Sequence, residues 1–186
     1  MKILITGVGG PTPRSFAIAL KKFTAYKDVA LVATDINPLA VGLYQKNLFA
    51  QSFVVPGATS PDYWDAIEKI VTENNIDIAV ILPELEVMEW SKRKITHQLP
   101  CKALIPDHSM ADLLVDKSKM TDILKDLDIV PPSVTFSRDI EDFTAVFDKL
   151  KGNFWVRSSS GTSGLGSLKV DDLDSLKNWI QINPNV

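Results

Sequence analysis

Residues 1–14, MKILITGVGGPTPR, place a short apolar run directly before a glycine-rich turn and a helical pattern. The run Lys2–Thr6 is apolar and ends at Gly7, so it predicts a buried strand. From Arg14 to Phe23 the apolar residues recur at helical spacing, which predicts an amphipathic helix. A strand, a glycine turn and a helix are typical of the opening of a β-α-β unit on a parallel sheet.

The alternation of strand and helix patterns continues to about residue 106, where we predict a domain boundary. The further predicted strands are Val29–Asp35, Ser52–Val55, Ile76–Leu82 and Lys102–Ile105. The predicted helices are Pro38–Leu48, Pro61–Asn74 with Ser60 as its N-cap, and Glu86–Leu99. This order predicts an α/β fold with a Rossmann-like parallel sheet over residues 1–106.

Residues 107–186 follow a different pattern, in which helices and antiparallel strands are mixed. Helices are predicted at Ser109–Leu127, Asp139–Leu150 and Asp171–Trp179, and strands at Ser133–Phe136, Phe154–Ser159 and Ser167–Val170. The last two strands flank a glycine-rich turn, which favours a hairpin over another crossover. A lone hairpin is marginal by itself, so we expect this second unit to be an incomplete α+β subdomain.

Composition excludes several classes of protein. With 186 residues, 45% hydrophobic and 23% charged, the chain is typical of a globular protein. A net charge of −3 argues against nucleic-acid partners, and no apolar stretch approaches the roughly 18 residues of a membrane helix. One cysteine and two histidines make a structural zinc site improbable. A single Cys101 also favours a reducing compartment, so we expect a cytoplasmic protein.

The first candidate site is the turn that begins at Gly7, since backbone N–H groups at a helix N-terminus favour anions. Asp35 lies 28 residues later at the end of a strand, where dinucleotide folds hold a ribose. However, the dinucleotide pattern needs glycine where Thr12 stands, and Pro11 and Pro13 remove two donors. The pattern therefore favours a tight turn over a nicotinamide site.

The second candidate is Asp116-Lys117, followed by a second lysine, Lys119. A lysine on such a helix can bind a phosphate as a point charge. The alternative is an exposed helix face on which Lys117 or Lys119 pairs with acidic neighbours, and spacing alone favours it.

The third candidate is the segment VRSSSGTSGLGS at residues 156–167, with three glycines among serines and threonines. Such a loop can fold backbone amides over a polyphosphate, and Arg157 provides a guanidinium for bidentate phosphate contacts. The segment lacks the Gly-Lys-Ser/Thr ending of a P-loop, which argues against a Walker-type NTPase. The alternative is a flexible hairpin tip without a ligand.

Three acids, Glu84, Glu86 and Glu89, follow a predicted strand at the edge where α/β proteins bind ligands. They can orient a substrate amine or ammonia, or begin a helix with favourable dipole charge. We assign no role to the two histidines, His97 and His108, and expect Cys101 to be buried rather than reactive.

Five stretches together carry a family resemblance: MKILITGVGGPTPR at 1–14, VATDINPLA at 32–40, IDIAVILPELE at 76–86, LLVDKSKMTDILKDLDIVPPS at 113–133 and FWVRSSSGTSGLGSLKV at 154–170. The chain resembles the amino-terminal half of an ATP-grasp enzyme. It is similar to the large chain of carbamoyl-phosphate synthase and to related carboxylate–amine ligases. Residues 1–106 would be the pre-ATP-grasp domain, and 107–186 the first part of the ATP-grasp domain.

The resemblance implies that ATP and Mg²⁺ are the cofactors and that a carboxylate is activated by phosphoryl transfer. The residues it assigns to the ATP phosphates are Lys117, Arg157, Ser160, Gly161, Thr162, Ser163, Gly164, Gly166 and Ser167. The candidate residues for the acceptor substrate are Gly9, Gly10, Arg14, Asp35 and Glu86.

The resemblance also implies parts that are expected outside these 186 residues, namely the adenine wall and the magnesium ligands. We therefore expect a second chain or a homo-oligomer as partner, and no catalysis by this chain alone. The two alternatives are a nicotinamide-dependent oxidoreductase and a non-catalytic module that binds a nucleotide or a partner chain.

Overall fold

The computed structural model describes residues 1–23, 25–127, 129–138, 143–160 and 166–183. The chain divides into two compact units, unit 1 at residues 1–111 and unit 2 at residues 112–186. The strands are β1 (Lys2–Thr6), β2 (Ala30–Asp35), β3 (Gln51–Val54), β4 (Ile78–Val80), β5 (Lys102–Leu104), β6 (Phe154–Val156) and β7 (Leu168–Val170). The helices are α1 (Pro11–Lys22), α2 (Tyr63–Asn74), α3 (Glu84–Ile95), α4 (His108–Val115), α5 (Lys117–Leu124), α6 (Thr144–Leu150) and α7 (Leu173–Ile182).

Unit 1 is built on a five-stranded sheet in the order β3-β2-β1-β4-β5. All neighbouring strands are parallel, with Ile3 opposite both Leu31 and Ile78. The predicted mixed α/β fold with a parallel sheet is therefore confirmed. Because the strand order reverses between β1 and β4, the carboxyl ends of these two strands form the switch point where α/β sheets bind ligands.

Side chains that alternate along the central strands supply two separate hydrophobic clusters. Leu4 and Val32 join one cluster, whereas Ile3, Ile5 and Leu31 join the other. Residues on the two faces alternate because successive side chains of a strand point to opposite sides. The first cluster also contains the buried rings of α2 and α3, and the second contains the buried face of α1. Helices thus cover both faces of the sheet, as a parallel sheet requires.

Several elements in unit 1 differ from the prediction, and the hydrogen bonds explain three of the differences. The helix predicted at Pro38–Leu48 is only a 3₁₀ turn, Val41–Tyr44, which lies within a chain of short-range turns. Helix α2 begins at Tyr63 instead of residue 61, because Ser60 N–H bonds to Gly57 and closes a preceding turn. Strand β4 is shorter than predicted, since its flanking amides bond outside the ladder: Ile76 N–H donates to Val71 O and Leu82 N–H to Thr6 Oγ1.

Unit 2 contains one small, aromatic-rich core. Strands β6 and β7 pair antiparallel, with Trp155 opposite Lys169. The buried residues Val156, Val170, Leu176 and Trp179 form the core, and partly buried phenylalanines pack around them. The turn predicted between the two strands includes residues 161–165, which lie outside the described residues.

Two further predictions in unit 2 change. The segment predicted as one helix, Ser109–Leu127, is broken at Asp116, whose extended backbone separates α4 from α5. The predicted strand Ser133–Phe136 is not a strand, because Phe136 packs edge-to-face on Phe143 in the core instead of joining a sheet. Residues 139–142 of the next predicted helix lie outside the described residues, and α6 begins at Thr144.

Across the described parts of the chain, every helix is too short or too polar to cross a membrane.

Candidate functional site

The carboxyl edge of the unit 1 sheet gathers all five residues predicted for the acceptor. Gly9, Gly10 and Arg14 lie in the turn and first helical turn after β1, Asp35 ends β2, and Glu86 lies in the first turn of α3. These elements surround the switch point between β1 and β4. The fold therefore brings together residues that are up to 77 positions apart in the sequence.

Hydrogen bonds within this edge occupy the groups that a nicotinamide cofactor would need. Asp35 Oδ2 accepts from Gly9 N–H at 2.7 Å, and its Oδ1 accepts from Asn37 N–H at 2.8 Å. Gly10 N–H donates to Gly7 O at 3.0 Å, and the Gly10 carbonyl accepts from Arg14 Nε at 3.1 Å. Asp35 thus stabilises the turn itself, which favours the tight-turn interpretation over a ribose-binding acid.

Close packing explains why glycine is needed in this turn. Gly7 has φ +69°, a left-handed conformation that residues with a Cβ rarely adopt. A Cβ there would lie 2.4 Å from Pro83 Cγ, well inside van der Waals contact. A Cβ at Gly9 would lie 3.1 Å from both Asp35 Oδ2 and Ala40 Cβ. The glycines let β1, β2 and the start of α3 approach one another.

Glu86 is the one acid of its cluster that is enclosed by protein. Its side chain is only 3% exposed, and within the described structure its Oε2 atom has no hydrogen-bond partner. Burial raises the pKa of this carboxyl to about 7, a hydrogen bond from Thr6 partly offsets the rise, and the Asp35 charge adds to it. Glu86 is therefore a carboxyl that can hold or release a proton near neutral pH.

Local contacts or burial account for the other residues considered in unit 1. Glu84 is the first residue of α3, where a negative charge favours the helix dipole, and Glu89 pairs with Lys92 at 2.7 Å. His108 Nδ1 lies 2.9 Å from the buried Ser91 hydroxyl. Burial raises the pKa of the partly buried Cys101 thiol to about 11, so the thiolate is disfavoured.

A cavity of about 760 Å³ lies in unit 2 and contains both predicted phosphate-binding cations. Lys117 begins α5, and Arg157 directly follows β6. Lys117 N–H donates to Ser159 O at 2.8 Å, which ties the start of α5 to the segment after β6. None of the described residues forms an ion pair or hydrogen bond with the exposed Arg157 guanidinium. The two cations, 40 residues apart in the sequence, therefore line one cavity.

Asp116 explains how α5 begins at the lysine. Its Oδ1 accepts from Ser118 N–H at 2.9 Å and from the Ser118 hydroxyl at 2.6 Å, which makes it the N-cap. The Ser118 hydroxyl and the capped amides hold the pKa of Asp116 below its usual range. The other lysine does form a surface ion pair, with Lys119 Nζ 2.7 Å from Asp112, but Asp112 lies on α4 and not at i,i+4 spacing on the same helix as predicted.

The remaining predicted phosphate contacts fall into three groups. Ser167 lines the cavity with the two cations. Ser160 and Gly166 are described but do not line it; Gly166 has φ +71°, and its carbonyl accepts from Trp179 Nε1. Residues 161–164 lie outside the described residues, so their part in phosphate binding stays a prediction.

Three residues with polar or aromatic side chains at these sites were not predicted from the sequence. Thr6 hydrogen-bonds the Glu86 carboxyl from the end of β1, and a buried threonine closing an apolar strand was the available signal. Arg138 lines the cavity of unit 2, although nothing in its local sequence indicates this. Trp155 lines it too, and two-residue strand periodicity from Arg157 predicts that placement.

Metal ligands do not cluster in the described ranges: no three or more His, Cys, Asp or Glu side chains come together there as a metal site would require. We therefore assign no described residue of this chain to magnesium.

No family model matches this sequence, and no curated protein matches it either. Among solved structures, the chain is similar to N5-carboxyaminoimidazole synthetase from Staphylococcus aureus complexed with ADP. Identity is 13% and the TM-score is 0.66, over 99% of this chain and 45% of that one. It is also similar to the biotin carboxylase domain of the Hydrogenobacter thermophilus 2-oxoglutarate carboxylase with MgADP and bicarbonate. There, identity is 14% and the TM-score is 0.63, over 98% of this chain and 41% of that one.

A third similar structure is Campylobacter jejuni biotin carboxylase in a β-γ-ATP complex. Identity is 16% and the TM-score is 0.63, over 97% of this chain and 40% of that one. The chain thus spans less than half the length of each of these three enzymes. These neighbours show that nearly the whole chain shares its fold with the matching part of each of these enzymes, which is the fold that the resemblance implied.

Proposed function

We propose that the protein or assembly to which this chain contributes is an ATP-dependent ligase that activates a carboxylate for attack by an amine or ammonia. Residues 1–106 are its pre-ATP-grasp domain, and residues 107–186 are the first part of its ATP-grasp domain. Within this class we favour the carbamoyl-phosphate synthase type, because arginine at position 157 resembles that branch. We place the reaction in the cytoplasm.

One observation carries this proposal: Lys117 and Arg157 line the same cavity of unit 2. Two cations beside one cavity provide the charge that a polyphosphate needs, and a guanidinium suits bidentate phosphate contacts. A volume of about 760 Å³ is also within the usual range for a small-molecule site. The polar groups of Ser159 and Ser167 line the same cavity, where they can supply further hydrogen bonds.

The chemistry follows from where negative charge develops during phosphoryl transfer. A substrate carboxylate oxygen forms a bond to the γ-phosphorus, while the bond from that phosphorus to the β-phosphate oxygen breaks and ADP leaves. The amine nitrogen then attacks the acyl carbon and inorganic phosphate departs. Lys117 and Arg157 neutralise charge on the phosphate oxygens throughout, and positioning supplies most of the catalysis. Residues 160–167, which the resemblance assigns to the phosphates, are proposed to contribute further contacts to them.

We place the acceptor substrate at the carboxyl edge of unit 1. Within the turn, Gly9 N–H and Asp35 already bond to each other, so they shape the subsite more than they contact a ligand. Glu86 keeps one carboxylate oxygen without a described partner. It is therefore the group best able to accept a hydrogen bond from an amine or ammonium. Gly10 and Arg14 complete the proposed subsite.

Magnesium and the missing half of the nucleotide site are proposed to come from outside the described residues. In this reaction magnesium would screen the phosphate charges. The remaining binding elements are supplied by a further part of the same protein, by a second chain or by a second copy.

Calorimetric titration tests this proposal with a non-hydrolysable Mg-ATP analogue, with NADH as the competing ligand. We expect the analogue to bind and NADH not to bind. Arg157→Ala removes charge-assisted phosphate contacts and should weaken the analogue by about tenfold or more. Lys117→Ala should also raise the dissociation constant of the analogue.

The matched control is Lys177→Ala, which removes an exposed cation of unit 2 that does not line the cavity. The control should leave the dissociation constant unchanged, because a distant surface charge is screened. If Arg157→Ala and Lys177→Ala weakened binding equally, the binding would be non-specific electrostatic attraction and would not depend on the cavity. Binding of NADH instead would support an oxidoreductase, and nucleotide binding without ligase activity in the complete assembly would support a non-catalytic module.

A further inference from the structure

Two buried oxygen atoms at the carboxyl edge of unit 1 have no hydrogen-bond partner within the described structure. They are Glu86 Oε2 and Thr34 Oγ1, and the two residues are 3% and 0% exposed. A buried polar group without a partner destabilises the fold, so native proteins rarely leave one unpaired. The presence of two such atoms at one edge of the sheet therefore needs a physical explanation.

The strand register brings these two side chains close together. Thr34 on β2 is paired with Thr6 on β1, and neighbouring strands lie about 4.8 Å apart. Both threonines are on the face of the sheet that Leu4 and Val32 line, because side chains alternate along a strand. The Glu86 carboxyl is hydrogen-bonded to Thr6 on that face. Thr34 is thus one strand spacing away from the residue that holds Glu86.

Thr6 cannot satisfy both oxygen atoms by itself. Its Oγ1 accepts from Leu82 N–H at 3.3 Å, and its single hydroxyl proton is donated to the Glu86 carboxyl. The Thr34 hydroxyl therefore needs another partner on the same face. Two hydrogen bonds through one water molecule span about 5.5 Å, which is close to the strand spacing. One bridging water can thus reach both Thr34 and Glu86.

Water suits this carboxyl better than a cation does. Water can donate to the ionised carboxylate and accept from the neutral carboxylic acid, so it serves Glu86 in both protonation states. The ionisable groups that interact electrostatically with Glu86 are Asp35 on β2 and Tyr63 on α2. Both oxygens of Asp35 already accept from backbone N–H groups, so this second acid does not complete a cation site. A cation would also favour only the ionised form of Glu86, whereas burial raises its pKa.

We propose that one internal water molecule binds between Thr34 Oγ1 and Glu86 Oε2. It completes a hydrogen-bonded chain that runs from Leu82 N–H through Thr6 and Glu86 to Thr34. The water gives the buried carboxyl a partner whether or not the carboxyl holds its proton, so α3 can stay packed on the sheet in both states. Thr34 is here a positioning residue that acts on Glu86 through the water. The inference does not depend on the proposed function, because it concerns the chain without a ligand.

Carbon-13 NMR of the Glu86 side-chain carboxyl tests the inference by following its titration in the wild type and three variants. Thr34→Val keeps the shape of the side chain but removes one anchor of the water, so the titration midpoint should rise by about one pH unit. Thr34→Ser keeps the hydroxyl and should keep the midpoint of the wild type. The matched control is Ser52→Ala, which removes another unpartnered hydroxyl on the opposite face of the sheet, in register with Ala33. The control should leave the midpoint unchanged.

High-resolution crystal structures of the wild type and Thr34→Val provide a second readout. We expect one water within hydrogen-bond distance of both oxygen atoms in the wild type and none at that position in Thr34→Val. A direct hydrogen bond between Thr34 and Glu86, or equal titration midpoints in the wild type and Thr34→Val, would overturn the inference. Replacing sodium chloride by ammonium chloride at constant ionic strength should leave the midpoint unchanged. A fall in the midpoint would identify ammonium as the occupant and would also overturn the inference.

Discussion

The two glycine-containing segments of this chain look alike in sequence but have different surroundings. In the turn after β1, Gly9 and Gly10 direct their N–H groups to Asp35 and to Gly7. The segment after β6 borders a cavity, and Arg157 beside it has no described hydrogen-bond or ion-pair partner. The first turn therefore uses its polar groups to hold the sheet together, whereas the second segment leaves a cation available to a ligand.

The difference shows that glycine content alone does not identify a phosphate site. What matters is whether the donors and charges nearby are already satisfied by the protein. In unit 1 the buried Glu86 carboxyl at this edge keeps one oxygen without a described hydrogen-bond partner. The two regions are thus opposite in charge as well as in hydrogen bonding, which fits an acceptor subsite and a phosphate site.

The largest expected effect is on the turn of unit 1. Gly7→Ala forces a Cβ into a left-handed backbone conformation and against the ring of Pro83, so we expect a loss of about 4 kcal/mol in the free energy of unfolding. Hydrogen exchange at the β1 and β2 amides during urea titration measures it. The matched control is Gly57→Ala, because a Cβ there meets nothing within 4 Å. Similar unfolding of both variants would contradict the structural role of this turn.

The next effect concerns the proton on Glu86. Its pKa is raised from 4.5 to about 7, so the folded state binds this proton more tightly than the unfolded state does. The resulting stability is present below pH 4.5 and is lost as the pH rises through about 7, by about 3 kcal/mol in total. Glu86→Gln should remove this slope, as measured by urea unfolding between pH 4 and pH 8. A parallel pH dependence in both proteins would show that the pKa of Glu86 is the same in the folded and unfolded states.

A smaller effect is expected from Asp35, which holds the turn through two backbone donors. Asp35→Ala leaves these donors without their acceptor and should cost about 2 kcal/mol of unfolding free energy. Asp35→Asn keeps an acceptor oxygen and should cost less. Both variants also remove a negative charge that raises the pKa of Glu86, so the midpoint of the pH dependence should move to lower pH. An unchanged midpoint would contradict the electrostatic coupling.

The smallest effect is expected at the N-cap of α5 in unit 2. Asp116→Ala removes the N-cap that begins α5 at Lys117, so we expect a slight fall in the melting temperature and weaker binding of the Mg-ATP analogue. Asp172→Ala is the matched control, because Asp172 caps α7 in the same way and does not line the cavity. Equal loss of nucleotide binding in both variants would indicate a general loss of stability instead of a displaced lysine.

Much of unit 1 could be predicted because its signals are local. The central strands β1, β2 and β4 were expected at the apolar runs where they occur, since a parallel strand that is buried on both faces is mostly apolar. The edge strands β3 and β5 also overlap their predicted segments. Their ends were less certain because tertiary hydrogen bonds set them, as Leu82 shows by bonding to Thr6 instead of extending β4. The helix expected at residues 38–48 failed for a different reason: short-range turns satisfy its backbone.

The sites were harder to predict because they depend on contacts between distant segments. Sequence alone indicated cationic candidates at Lys117 and Arg157, but only the fold brings them to one cavity. The break at Asp116 carried a local signal, an aspartate followed two residues later by serine at a helix start. Glu86, unlike Glu84 and Glu89, lies on the same face of α3 as Trp90, four residues later, and both are buried. Which face of α3 packs against the sheet becomes visible only in the fold.

The most direct test of this account is hydrogen exchange measured by mass spectrometry, with and without a saturating non-hydrolysable Mg-ATP analogue. The account predicts slower exchange in the peptides that contain Lys117 and Arg157, and no change in the peptide covering residues 1–14. Arg157→Ala should reduce the protection when the analogue is held near the wild-type dissociation constant. Protection of residues 1–14 instead, with the Arg157 peptide unchanged, would mean that the first glycine turn binds the phosphates, and it would contradict the account.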